Sequence, residues 1–73
     1  MSGLPRISGR ECVKALSKLG FIVKRQHGSH MILRRDKPSA QLVVPDHEEL
    51  DRGTLRAIIR QADLTVEQFI GLL

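Results

Sequence analysis

Two runs of strand-forming residues, Phe21-Ile22-Val23-Lys24-Arg25-Gln26 and Met31-Ile32-Leu33-Arg34-Arg35, flank a short break containing Gly28 and Ser29. So short a break permits an antiparallel hairpin and excludes a parallel pair, which needs a crossover of about a dozen residues or more. Gly28 can take the positive φ that a tight hairpin turn requires, and Ser29 offers a hydroxyl to the turn backbone. His30 opens the second strand, with Lys24, Arg25, Arg34 and Arg35 around it. Imidazole exchanges protons near neutral pH, and one framed by cations suits acid–base chemistry on a polyanion. A histidine after a glycine turn is also a common surface residue, so the triplet Gly28-Ser29-His30 decides nothing alone.

A third strand reads as Gln41-Leu42-Val43-Val44, reached through Asp36–Ala40 and ended by Pro45, which cannot donate to a ladder. Three short consecutive strands with tight connections predict an antiparallel meander. Helices bracket it. Ser8-Gly9-Arg10-Glu11 is a capping-box pattern that starts a helix running to about Leu19, with Gly20 as its stop. Cys12, Val13, Ala15, Leu16 and Leu19 form its apolar side, and Arg10, Lys14 and Lys18 align at four-residue spacing on the other. Like charges at that spacing mildly oppose a helix, so this ridge is either an anion-binding row or a solvated face. A second helix is expected from about Thr54 to Ala62, with Leu55, Ile58, Ile59 and Ala62 inward. Arg56 and Arg60 lie one turn apart on it, and Arg52 extends the row if the helix begins early. A second capping box, Thr65-Val66-Glu67-Gln68, starts a short closing helix with Val66, Phe69, Ile70 and Leu73 on one side.

These elements predict an α+β two-layer domain with the helices on one face of the sheet. The other face is left for a ligand. If Met31 and Leu33 point to the helices, alternation puts His30, Ile32 and Arg34 on the open face. A one-residue bulge at the hairpin would reverse that assignment.

Composition narrows the partners. The 73 residues are expected to form one domain over 1–73, with a core near the lower limit for independent stability. No apolar run is long enough to span a bilayer, and Met1–Arg6 lacks the apolar stretch of a signal peptide. The lone cysteine, Cys12, forms no internal disulfide, which fits a cytoplasmic protein, and reads as buried filler rather than a nucleophile. The net charge of +4 points to an acidic partner: RNA, DNA or an acidic protein. With Phe21 and Phe69 the sole aromatics among Phe, Tyr and Trp, recognition by base stacking is disfavoured, leaving phosphates and shape. His27 and His30, with Asp46, His47 and Glu48, match no established zinc spacing, and no metal or cofactor is expected. His47 reads as a residue that steadies the loop after the third strand.

Several segments together resemble the HicA toxins, the small mRNA interferases of type II toxin–antitoxin modules. They are Leu4–Glu11, Gly20-Phe21, Arg25-Gln26-His27-Gly28-Ser29-His30, Val44-Pro45-Asp46-His47 and Leu50–Ala62, in the same order and spacing across nearly the whole chain. The resemblance implies a fold like the double-stranded RNA-binding domain, α-β-β-β-α. It also implies metal-independent cleavage of mRNA through the histidine of the Gly-Ser-His motif, here His30, and inhibition by a HicB-type antitoxin. Two departures stand out. Asp63 replaces a glycine frequent after the second helix, and His27 precedes Gly28 where lysine or another polar residue is common. His27 reads as an exposed turn histidine, with an acid partner to His30 as the alternative.

On this reading His30 takes a proton from a ribose 2′-hydroxyl as it attacks the adjacent phosphorus. Lys24, Arg25 and Arg34 are the nearest cations, and Arg10, Lys14, Lys18, Arg56 and Arg60 would track the backbone farther out. The rival in a different class is a noncatalytic RNA-binding module of the same fold.

Overall fold

A computed structural model describes residues 3–73; Met1 and Ser2, which open both the expected domain and the segment read as lacking a leader, lie outside the described residues. The elements follow as α1 (Gly9–Ser17), β1 (Ile22–His27), β2 (His30–Asp36), β3 (Ser39–Pro45), α2 (Arg52–Gln61) and α3 (Val66–Ile70). The strands form one antiparallel sheet in the order β1-β2-β3. This is the expected α+β arrangement, a helix, a three-stranded meander and a helix, with a short helix added at the C-terminal end.

Local chemistry explains most boundaries. Ser8 caps α1 through the expected reciprocal pair, its hydroxyl accepting from the Glu11 amide while the Glu11 carboxylate accepts from the Ser8 amide. The helix ends in paired bonds, from Gly20 N–H to the Ser17 carbonyl and from Phe21 N–H to the Leu16 carbonyl, with Gly20 at φ 95°. Regular α1 therefore stops at Ser17, and residues 18–20 tighten into the closing turn rather than extending the helix to Leu19. α2 starts two residues earlier than its apolar pattern suggests, because Asp51 caps it by accepting from the Thr54 amide and hydroxyl. Arg52 thus joins the row of Arg56 and Arg60.

β2 and β3 are longer than their apolar runs. The pair Asp36–Ser39 closes a two-residue turn at Lys37-Pro38 where a longer link was expected. The buried positions of β2 and β3 are Met31, Leu33, Leu42 and Val44, facing Cys12, Ala15 and Leu16 of α1 and Leu55, Ile58 and Ile59 of α2 across one continuous core. Phe21 and Phe69 are both fully enclosed in it. One expectation fails at the C-terminal end. Phe69 is buried and Val66 half-buried as expected, but Ile70 and Leu73 face solvent and Leu72 packs on the core instead. The helix lasts only five residues, and the turn bonds Leu72 N–H to Phe69 carbonyl and Leu73 N–H to Ile70 carbonyl shift the phase of the inward face.

Candidate functional site

The sheet face away from the helices is uncovered, and its rows can be read from the strand register. His30 lies opposite His27 on one side and Pro45 on the other; the next row is Arg25, Ile32 and Val43; farther along, Arg34 pairs with Gln41 and Ile22. Directly paired residues share a face. His30, Ile32 and Arg34 therefore lie together on the open side, while Met31 and Leu33 face the core.

A bulge is present, but not at the hairpin. It falls in β1 between Val23 and Arg25, leaving Lys24 as the extra residue. Strict alternation would send Lys24 and Arg25 to opposite faces. The bulge lets both line one shallow hollow with Ile32, Arg34 and Gln41. Three cations thus gather around a small apolar floor on the strand face that carries His30.

The turn that presents His30 is fixed from several directions. Gly28 alone of its two central residues has positive φ, 58°, as a turn with glycine at its first central position requires. Gln26 lies on the helix side of β1 and donates from Nε2 to the Gly28 carbonyl at 2.9 Å and to Asp46 Oδ2 at 3.4 Å. The Asp46 amide donates to the Ser29 carbonyl. Asp46 in turn receives a forked pair from Arg10, Nε to Oδ1 at 3.0 Å and Nη2 to Oδ2 at 3.1 Å. That guanidinium, together with Gln26, holds the Asp46 carboxyl below the usual carboxylate range.

Gly9 seats the start of α1 against the same corner. Its amide donates to the His47 carbonyl at 2.9 Å, and a Cβ there would overlap the Pro45 carbonyl oxygen. The loop after β3 is further laced to the N-terminal segment by Leu50 N–H to the Ile7 carbonyl.

The remaining cations lie elsewhere. Arg10 and Lys14 on α1 and Lys18 just past its end are exposed, but Arg10 is engaged with Asp46, and Lys18 Nζ donates to the Leu72 carbonyl at 2.7 Å. Arg52, Arg56 and Arg60 are exposed on α2. Both rows belong to the helical layer and do not join the His30 face. Cys12 is fully enclosed, and burial pushes its thiol up to about 12, so it stays an inert thiol at neutral pH. Among the described residues no group of three or more His, Cys, Asp or Glu side chains is placed to hold a metal ion, and no helix is long and apolar enough to cross a membrane.

The family profile described as the HicA toxin of bacterial toxin–antitoxin modules matches residues 9–64, most of the 73-residue chain. The chain belongs to the HicA toxin family. The matched stretch contains the hairpin, the bulged strand, Asp46 and α2. As a HicA toxin it is one half of a toxin–antitoxin module, so an antitoxin is an implied partner. No curated protein matches the chain.

Strand alternation alone puts His30 and Arg34 on the open face, where the register has them; that Lys24 and Arg25 both line the hollow beside them depends on the bulge. Sequence reasoning missed Gln26 and Asp46 as the residues that hold the turn, and Gly9 as the one that seats α1 beside it. A signal for Gly9 existed, since a glycine inside a capping box is a poor helix former, but the carbonyl it must avoid lies far along the chain.

Proposed function

We propose that this HicA toxin is a metal-independent endoribonuclease acting on mRNA, with His30 as general base. The observation that carries the reading is the shared placement of His30, Lys24, Arg25 and Arg34 on an uncovered sheet face. His30 takes the proton of a ribose 2′-hydroxyl, whose oxygen attacks the neighbouring phosphorus. A positioned general base is worth about 10²–10⁴ in rate. Lys24, Arg25 and Arg34 stabilise the charge growing on the non-bridging oxygens, and Gly28 and Ser29 set the imidazole at the edge of this field. Arg56, Arg60 and Lys14 are available for backbone contacts beyond the reacting linkage. No aromatic platform is needed for recognition of this kind, in which phosphates supply affinity and the 2′-hydroxyl selects RNA over DNA.

A HicB-type antitoxin is proposed to silence the toxin by covering this face, meeting Lys24, Arg25 and Arg34 with acidic groups and Ile32 and Val43 with apolar ones. Val43 is 45% exposed and Ile22 53%, apolar surface that a partner would remove from water.

Purified wild-type protein and His30→Ala, incubated with an mRNA in excess EDTA, test the catalytic reading. Wild type is expected to cleave and His30→Ala to lose at least about 10²-fold in rate while binding RNA as before. Tight binding by both proteins without cleavage by either would instead make this a noncatalytic RNA-binding module.

A further inference from the structure

We propose that His27 is a second catalytic residue, the general acid that protonates the departing 5′-oxygen while His30 takes the 2′-proton; this rests on the ribonuclease reading above. The strand register carries the inference. His27 and His30 are direct partners across the hairpin, with Gly28 and Ser29 as the whole of the intervening turn. Residues so paired have Cβ atoms about 5 Å apart on one face. Both imidazoles are exposed, and both stand at the end of the face whose next row begins with Arg25. The turn joining them is held by Gln26 and Asp46, so their relative position is fixed by the backbone rather than by long flexible side chains.

The reaction needs two such groups. In-line displacement puts the attacking and leaving oxygens on opposite sides of phosphorus, so one imidazole cannot reach both at the same moment. Two imidazoles facing each other across a strand gap can straddle one phosphodiester. The bond from the 2′-oxygen to phosphorus forms as the bond from phosphorus to the 5′-oxygen breaks. The 2′-hydroxyl proton passes to neutral His30, and the proton of the His27 imidazolium passes to the 5′-oxygen. The products are a 2′,3′-cyclic phosphate and a 5′-hydroxyl, and proton exchange with water restores both histidines.

The test uses an RNA that wild type cuts, made with either oxygen or sulfur at the 5′-bridging position of the cleaved linkage. A thiolate leaves without protonation, so sulfur removes the need for an acid. His27→Gln is expected to lose about 10²-fold on the oxygen linkage yet stay within about threefold of wild type on the sulfur linkage. His30→Ala is expected to be slow on both, and circular dichroism confirms that each variant is folded. Equal losses by His27→Gln on the two linkages, or none on oxygen, would overturn the role of His27 and leave His30 standing. Failure of wild type to cut any RNA in the first place would overturn the ribonuclease reading itself, and this role with it.

Discussion

At Asp46 three contacts converge: the Arg10 fork, the Gln26 amide and its own backbone bond to Ser29. The residue touches no reacting atom on this account, yet it sets where the Gly28-Ser29-His30 turn stands relative to α1. Asp46→Ala is expected to lower the cleavage rate by about tenfold through misplacement of His30, with little change in RNA affinity. Because the Asp46 carboxyl is held below its ordinary value of 3.8, the clamp is fully present above that pH and is lost as pH falls through the depressed value. Hydrogen exchange of the hairpin amides should show it: protection in wild type collapses only in strong acid, and in Asp46→Ala it is weak throughout. His30 itself was legible in the sequence, because glycine chemistry and strand alternation are local. Asp46 was not. Its partners lie 20 and 36 residues away, and within its own segment it is one acid among several in a polar loop.

The elements owe their boundaries to two kinds of information, one local and one tertiary. Capping boxes at Ser8 and Thr65 are read directly from the chain, and both form as written. The β1 bulge at Lys24 has no residue signature; it follows from matching β1 to β2 while the hairpin pairs His27 with His30. Two glycine-related positions separate the cases. Gly9→Ala is expected to destabilise the fold by about 2 kcal/mol or more, lowering Tm by about 10 °C, because its Cβ meets the Pro45 backbone, which cannot yield. Asp63 closes α2 at φ 62°, with Asp63 N–H bonded to the Arg60 carbonyl and Leu64 N–H to the Ile59 carbonyl. Asp63 thus forms the left-handed helix stop itself, at the position where the resemblance leads one to expect glycine. Asp63→Gly relieves the left-handed strain, partly offset by a freer unfolded chain, for a gain of about 0.5 kcal/mol. Thermal melts of the two variants should shift in opposite directions.

Over the described residues, one sheet face is committed to the core and the other is left uncovered. An antiparallel sheet permits that division, since only one of its faces must be covered. The fold class was legible because the hairpin excludes parallel pairing and both long helices have clear apolar sides. What the sequence left open was which cations besides Arg34 share the face of His30. Lys24 and Arg25 do; the rows on α1 and α2 belong to the other layer, where Arg10 is engaged with Asp46 and Lys18 with the Leu72 carbonyl. The net charge of +4 supports attraction to a polyanionic partner. The central claim is that this face performs 2′-hydroxyl attack on RNA. It is tested most directly by mapping the ends of fragments released in EDTA, beside a matched substrate methylated at every 2′-oxygen. The account predicts 2′,3′-cyclic phosphate and 5′-hydroxyl ends from unmodified RNA and no cleavage of the methylated strand. Fragments with 3′-hydroxyl ends, or equal cutting of the methylated strand, would contradict it.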